Sequence, residues 1–122
     1  MRVQTFEDLV VWQKAHALTL AIYKATKEFP NEERYGITNQ IRRAATSVSA
    51  NIVEGHSRKS KKEFLQFLNI SKGSLDELKY FLILSRDLNY LNKNEFDLLL
   101  KLYNEVSKIL YAFTQSLLKT KR

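Results

Sequence analysis

Apolar residues recur along the chain at alternating spacings of four and three, which is the repeat of one packed face of an α-helix. Four such stretches follow one another. The first predicts a helix from about Glu7 to Phe29, with Thr5 and Asp8 in a capping arrangement and Pro30 at its end. Its apolar face contains Val11, Ala15, Leu18, Ile22, Ala25 and Phe29.

The second stretch predicts a helix that is capped by Asn31 and runs to about Glu54. Its apolar side contains Ile37, Ile41, Ala44, Val48 and Asn51. Side chains in 44–50 are small except for Val48, so a neighbouring helix can approach closely. Gly36 is a weak point within this helix, since glycine costs up to about 1 kcal/mol relative to alanine. Gly55 is expected to end the helix in the left-handed conformation.

The third and fourth stretches each begin with a capping-box pattern, Ser60 with Glu63 and Asn92 with Glu95. The third helix is expected to end near Leu88, with Asn89 in the turn. Its packed face contains Phe64, Leu68, Ser71, Leu75, Leu78, Leu82 and Ser85. The fourth has an unbroken heptad seam of Phe96, Leu99, Tyr103, Val106, Leu110, Phe113 and Leu117.

These helices are of similar length and are joined by three short connections, which favour antiparallel neighbours. Three glycines and one proline are too few turn residues for a sheet protein of 122 residues. The predicted fold is therefore all-α, an antiparallel up-down-up-down four-helix bundle. Residues 1–122 are expected to form a single domain.

The excess positive charge lies in two short segments, 56–62 and 119–122. Seven of the 20 basic residues belong to them, and the other 13 balance the 13 acidic residues, so these seven account for the net charge of +7. In an up-down bundle both segments lie at the same end, together with Arg2. We call the seven residues the basic pole: Arg58, Lys59, Lys61, Lys62, Lys119, Lys121 and Arg122.

A concentrated positive end favours binding of a polyanion. Lys61 and Lys62 occupy the first turn of the third helix, where the helix dipole disfavours cations, and such a local conflict is typical of an anion site. The alternative is a solvated end that serves solubility only.

Several helices have a second apolar stripe, which includes Leu9, Trp12, Phe67, Phe81, Leu88, Leu98, Leu102 and Ile109. Stripes of this width are typical of a subunit contact. The chain is therefore expected to form a homo-oligomer, and a symmetric ring would bring several copies of the basic pole onto one face. The alternative is a wide core with stray exposed aromatic residues.

The sequence lacks the usual signatures of catalysis and metal binding. It has no cysteine, no E-x-x-H or H-E-x-x-H pair, no glycine-rich phosphate loop and no G-x-S-x-G elbow. His16 is expected to be a partly buried polar residue, and His56 to support the basic loop. We therefore expect no catalytic residue, no cofactor, no metal and no enzymatic activity.

Arg42 and Arg43 lie in the middle of the second helix. They could reach phosphates, or they could form ion pairs with Asp76, Glu77 or Glu54 or a subunit contact. The amino-terminal segment has no signal-peptide core and no apolar run is long enough to span a bilayer. The expected location is cytoplasmic, with no membrane partner.

Three strings make the sequence similar to a known family. They are FEDLVVWQKA at 6–15, FPNEERYGITNQIRRAATSVSANIVEG at 29–55 and KEFLQFLNISKGSLDEL at 62–78. Together they resemble the 23S ribosomal RNA intervening-sequence proteins, which are small bacterial four-helix bundle proteins. The resemblance implies an all-α bundle that assembles as a ring, commonly a pentamer, and it implies no catalytic residues. It also implies similarity to the accessory bundle proteins of diversity-generating retroelements, which bind nucleic acid and a reverse transcriptase through basic surfaces.

The leading hypothesis is a non-enzymatic, homo-oligomeric bundle that binds nucleic acid through the basic pole, with structured RNA favoured and DNA left open. The alternative is a protein–protein adaptor that docks an acidic partner such as a polymerase. A third hypothesis, a small enzyme with an unrecognised site, requires a deep pocket with converging polar groups.

Overall fold

The computed structural model describes residues 5–120 and contains four α-helices. They are α1 (Val10–Thr26), α2 (Ile37–His56), α3 (Lys61–Asp87) and α4 (Lys93–Lys119). Two short 3-10 helices, Phe6–Asp8 and Asn31–Glu33, precede α1 and α2, and residues 5–120 contain no strand. Each α-helix contacts the next along the chain, and α1 also contacts α4. The fold is thus all-α, a helical bundle around a shared apolar core, as predicted.

The first helix is shorter than the predicted Glu7–Phe29. Thr5 donates its backbone N–H to the Asp8 carboxylate at 3.3 Å, but this arrangement caps only the 3-10 turn. Leu9 then adopts an extended conformation (φ −77°, ψ 123°), which separates that turn from α1. Leu9 is buried, so tertiary packing favours this break over a continuous helix.

The start of the second helix also differs from the prediction. Asn31 opens the 3-10 helix Asn31–Glu33 and does not cap α2, which begins only at Ile37. Gly36 is therefore the residue before α2 and not a weak point within it. The Glu33 side chain reaches this junction, where its carboxylate accepts a hydrogen bond from the Ile37 N–H at 3.2 Å.

Gly55 does not end α2, contrary to the prediction. It lies one residue before the helix end, it is buried, and no glycine within residues 5–120 has a positive φ. A β-carbon placed on Gly55 would lie 2.8 Å from Cδ1 of Phe64 and 2.9 Å from Cβ of Phe67. Glycine is needed here because α3 passes too closely for a side chain, not because of its backbone freedom.

The predicted boundaries of α3 and α4 agree with the structure. Ser60 Oγ accepts a hydrogen bond from the Glu63 N–H at 3.1 Å, and Asn92 with Glu95 forms a complete capping box. α3 ends at Asp87, and Asn89 adopts the left-handed conformation in the turn (φ 64°). Asparagine tolerates this conformation better than most residues.

The predicted faces form the core. All seven residues of the α3 face are buried, as are all those of the α4 seam except Phe113, which is half-buried. On α1, Thr26 is buried and Ala25 only partly, while α2 buries Ala45, Ser49 and Ile52 in addition to the predicted residues; Asn51 is half-buried.

Small residues bring α2 close to α1 and to α3, whereas the sequence predicted a close approach of one neighbouring helix. Thr19 Oγ1 of α1 lies 3.1 Å from the Ala45 carbonyl and 2.9 Å from Ser49 Oγ. From α3, Ser71 donates to the Val48 carbonyl at 2.9 Å. A short side chain reaches another helix's backbone only when the two helices nearly touch. No helix within residues 5–120 is both long and apolar enough to cross a membrane.

Candidate nucleic-acid interface

The connection between α2 and α3 positions the first part of the basic pole. Ser57 Oγ donates to the Glu54 carbonyl at 2.6 Å, and the Arg58 N–H donates to the Gly55 carbonyl at 3.1 Å, so α2 ends in a tight turn. Ser60 then caps α3, which places Lys61 and Lys62 in its first turn. Only four residues separate α2 from α3, so hydrogen bonds fix the basic segment at both of its ends.

Lys61 connects this segment to the end of α4. Its Nζ donates to the Thr120 carbonyl at 2.7 Å and lies 3.4 Å from the Leu118 carbonyl. A lysine ammonium at the carboxyl end of a helix satisfies carbonyls that have no helical partner and opposes the negative end of the dipole. The two segments predicted to cluster are therefore in contact at Lys61. Lys121, Arg122 and Arg2 lie outside the described residues.

Arg58 is also engaged within the protein. Its Nη2 lies 2.6 Å from Glu54 Oε1, and its guanidinium lies over the Phe67 ring at 4.8 Å. The Glu54 carboxylate compensates much of the positive charge of Arg58, and the contact with the Phe67 ring fixes the orientation of the guanidinium. Arg58 therefore supports the loop more than it offers a free cation.

Three predicted residues are exposed cations without such partners. Lys59, Lys62 and Lys119 are exposed, and none forms an ion pair with any residue in 5–120. Lys62 also borders an open groove of about 440 Å³, whose other lining residues are Lys61, Leu65, Gln66 and Asn69. The amide side chains there can donate to phosphate oxygens or to base edges.

The two histidines have aromatic partners. His16 is exposed, contrary to the expectation that it is partly buried, and its ring stacks on Trp12 with centroids 4.8 Å apart and planes 9° apart. His56 is half-buried beside the loop and lies edge-on to Phe64 at 6.2 Å. No cluster of three or more histidine, aspartate or glutamate residues in 5–120 could hold a metal ion.

Arg42 and Arg43 do not form the ion pairs considered from the sequence. Glu54 pairs with Arg58, and Asp76 pairs with Lys72 at 2.8 Å. Arg42 instead donates from Nε to Thr26 Oγ1 at 2.7 Å. Arg43 is exposed and forms no ion pair within the described part of the chain.

The second apolar stripes are exposed only in part. Leu98 and Leu88 are 56% and 44% exposed, whereas Phe67, Phe81, Leu102, Ile109 and Trp12 are half-buried and Leu9 is buried. Several further apolar residues, which the second stripes do not include, are exposed: Val10, Leu20, Ile70, Tyr80, Tyr111 and Leu118. They are distributed over α1, α3 and α4, and Tyr111 and Leu118 line one shallow groove between α3 and α4.

Four α-helices packed on one apolar core, with no strand within residues 5–120, define the class of small all-α helical-bundle proteins. The chain belongs to the 23S rRNA-intervening sequence protein family, whose model matches residues 7–112. The resemblance seen in the sequence is thus confirmed.

A solved structure supports the same assignment. The crystal structure of a protein of unknown function from the S23 ribosomal protein family of Bacteroides thetaiotaomicron has a TM-score of 0.80 with this chain and 27% sequence identity. The similarity covers 87% of this chain and 96% of that one. No curated protein matches the sequence significantly.

Proposed function

We propose that this chain is a non-enzymatic, homo-oligomeric four-helix bundle that binds nucleic acid, structured RNA in particular, through its basic pole. The observation on which the proposal rests is the contact of Lys61 with the carbonyls at the end of α4. That contact brings the lysine-bearing turn before α3 next to Lys119. Three exposed lysines, Lys59, Lys62 and Lys119, then share one end of the bundle.

The proposed topology is the antiparallel up-down-up-down arrangement. Contacts between neighbouring helices support it, because residues later in one helix meet residues earlier in the next. Thr26 bonds Arg42 while Thr19 bonds Ser49, and Phe64 packs on Phe113 while Arg86 lies over Phe96. In this arrangement the end of α2, the start of α3 and the end of α4 share one tip.

Binding would rest mainly on phosphate contacts. Lysine ammonium groups are point charges that neutralise phosphates without reading bases, so sequence preference would be weak and salt dependence steep. Each neutralised phosphate contributes about 0.7 to 0.9 to the slope of log affinity against log salt. Three exposed lysines per protomer give only a modest slope, and a homo-oligomeric ring would multiply it.

Self-association is part of the proposal. Leu20 on α1 and Leu98 on α4 are more than half exposed, and such leucines cost free energy in water unless another surface covers them. A ring, a pentamer by the family resemblance, would present several basic poles to one polyanion and raise the affinity through multivalency.

The test compares two double variants that change the net charge equally. Lys59→Glu with Lys62→Glu places carboxylates on the basic pole, whereas Lys101→Glu with Lys108→Glu does so on an exposed face of α4. Fluorescence anisotropy with a labelled structured RNA across a salt series should show binding by wild type and by the α4 variant, and none by the basic-pole variant. Equal losses in the two variants, or wild-type binding that ignores salt, would refute the assignment.

The alternative is an adaptor that docks an acidic protein. The exposed leucines favour some protein contact, and the basic pole would complement an acidic surface. Pull-down of partners from a lysate with and without nuclease separates the two functions. A partner bridged by RNA is lost on digestion, whereas a directly docked partner stays bound.

A further inference from the structure

A polar groove of about 690 Å³, away from the basic pole, is lined by α2 together with Tyr23 of α1 and with Ser74 and Glu77 of α3. The side chains that matter for its chemistry are Asn39, Gln40, Arg42, Arg43, Ser47 and Glu77. Arg42 precedes the end of α2 by 14 residues, so this groove lies about 20 Å along the helix from the α2–α3 connection. The groove is therefore separate from the site described above.

Arg42 is held firmly by groups that do not neutralise it. Its Nε donates to Thr26 Oγ1 at 2.7 Å, and its Nη2 lies 3.3 Å from the Tyr23 carbonyl. The guanidinium lies over the Tyr23 ring at 4.7 Å. These partners fix the direction of a half-buried cation but carry no negative charge, so its positive potential extends into the groove.

Arg43 adds a second guanidinium next in sequence. It is exposed, and neither it nor Glu77 on the opposite wall takes part in an ion pair within residues 5–120. Ser47 Oγ lies 2.7 Å from Ser74 Oγ, and this hydrogen bond joins α2 to α3 at the groove. The amides of Asn39 and Gln40 are exposed and add further donors. The groove thus has two positively charged side chains, those of Arg42 and Arg43, against one carboxylate, that of Glu77.

We propose that this groove is an oxyanion site that binds a phosphate group through Arg42 and Arg43. Guanidinium groups present a planar fork of N–H donors that matches phosphate oxygens in pairs, which lysines cannot do. The ligand is a backbone phosphate of the nucleic acid, so the assignment rests on the proposed function.

The first experiment tests the site without nucleic acid. Inorganic phosphate is titrated into the protein while the Nε–Hε signal of Arg42 is followed by NMR. The hydrogen bond to Thr26 holds this group in one environment, so the signal is expected to be distinct. Phosphate should shift it in wild type and shift it much less in Arg43→Gln. An unchanged signal at millimolar phosphate overturns the site.

The second experiment tests whether nucleic acid uses the site. Affinity for a labelled RNA is measured across a salt series for wild type, Arg43→Gln and the control Lys101→Gln, which removes one exposed charge on α4. Arg43→Gln should weaken binding about tenfold at low salt and lower the salt slope by about 0.7 to 0.9, with little change in the control. Equal effects in the two variants mean that only net charge matters, which overturns the inference.

The two proposals fail in different ways. If RNA binds wild type and Arg43→Gln alike but not the basic-pole variant, the groove is refuted and the proposed function survives. If no RNA binds but phosphate shifts the Arg42 signal, the site takes free phosphate and its use by nucleic acid is refuted. A fall in the mass of Arg43→Gln measured by light scattering assigns the groove to a subunit contact and refutes the inference.

Discussion

Replacing Gly55 by alanine tests how closely α2 and α3 pack beside the basic pole. The added β-carbon would lie 2.8 Å from Cδ1 of Phe64 and 2.9 Å from Cβ of Phe67. Ordinary contact between carbon atoms is about 3.5–4.0 Å, so something must move. The Cβ of Phe67 is fixed to its backbone, and Phe64 is buried against Phe113 with ring centroids 5.6 Å apart. Neither phenylalanine can turn aside freely.

Two opposing effects determine how much Gly55→Ala changes the free energy of unfolding. Overpacking of this kind costs about 1–3 kcal/mol, while the better helix propensity of alanine returns about 1 kcal/mol. Gly55→Ala is therefore expected to lower the free energy of unfolding by about 1 kcal/mol. Had Gly55 been the left-handed terminator expected from the sequence, the loss would have come from backbone strain and would not depend on the size of Phe64 or Phe67.

Gly73 provides a matched control within α3. It is exposed, and a β-carbon placed there has no atom within 4 Å. Gly73→Ala should raise the free energy of unfolding by up to about 1 kcal/mol. The difference between the two variants removes the propensity effect and leaves the packing cost of about 1–3 kcal/mol.

The assay is urea unfolding followed by far-ultraviolet circular dichroism. One protein concentration is used throughout, because self-association would add to the apparent stability. The reasoning about close packing is wrong if Gly55→Ala is as stable as Gly73→Ala.

Two further predictions concern assembly and pH. Leu98→Glu places a carboxylate on the exposed apolar side of α4 and should lower the mass measured by light scattering, whereas an unchanged mass excludes this surface as a subunit contact. The hydrogen bond to Glu33 (2.7 Å) is the main cause that raises the pKa of Tyr90 above its ordinary value of 10.0. The folded state then holds this proton more tightly, so its stabilising effect is complete below about pH 10 and is lost as pH rises through the folded pKa. Urea unfolding at about pH 9 and about pH 11 should show a smaller alkaline loss for Tyr90→Phe.

The helical faces were predictable because burial repeats with the helical period. The caps at Ser60 and Asn92 were also predictable, since a short polar side chain followed three residues later by glutamate satisfies the first-turn amides locally. These two caps depend only on neighbours in sequence. The same kind of signal at Thr5 and Asp8 caps only a 3-10 turn, because the buried Leu9 interrupts the helix.

The glycines were misread because their roles depend on other helices. The periodic pattern cannot distinguish a glycine that ends a helix from one that lets another helix approach, and only the position of Phe64 and Phe67 decides the case of Gly55. The break at Leu9 has the same origin, because burial of its side chain competes with a continuous first helix.

The contact between the two basic segments was predictable from the topology, but which of their cations have partners within the protein was not. The pairing of Arg58 with Glu54 follows from their spacing of four residues, which is a signal present in the sequence. The contact of Lys61 with Thr120 joins residues 59 positions apart and could not be read from any local pattern. Which cations remain available is therefore decided by tertiary structure.

The contact of Lys61 with the end of α4 also lowers the effective positive charge of the basic pole. The last carbonyls of α4 carry about half a negative charge, which would repel a phosphate approaching the same end. Lys61 donates to the Thr120 carbonyl, so its positive charge is largely compensated by the negative end of α4. In the proposed function its contribution to anion binding is indirect, because it removes an opposing field. Among the described residues of the basic pole, Lys59, Lys62 and Lys119 are the exposed lysines. A lysine in the first turn of α3 is unfavourable because the dipole of α3 is positive there. The negative end of α4 offsets this electrostatic cost. The basic character of this tip therefore depends on two helices together.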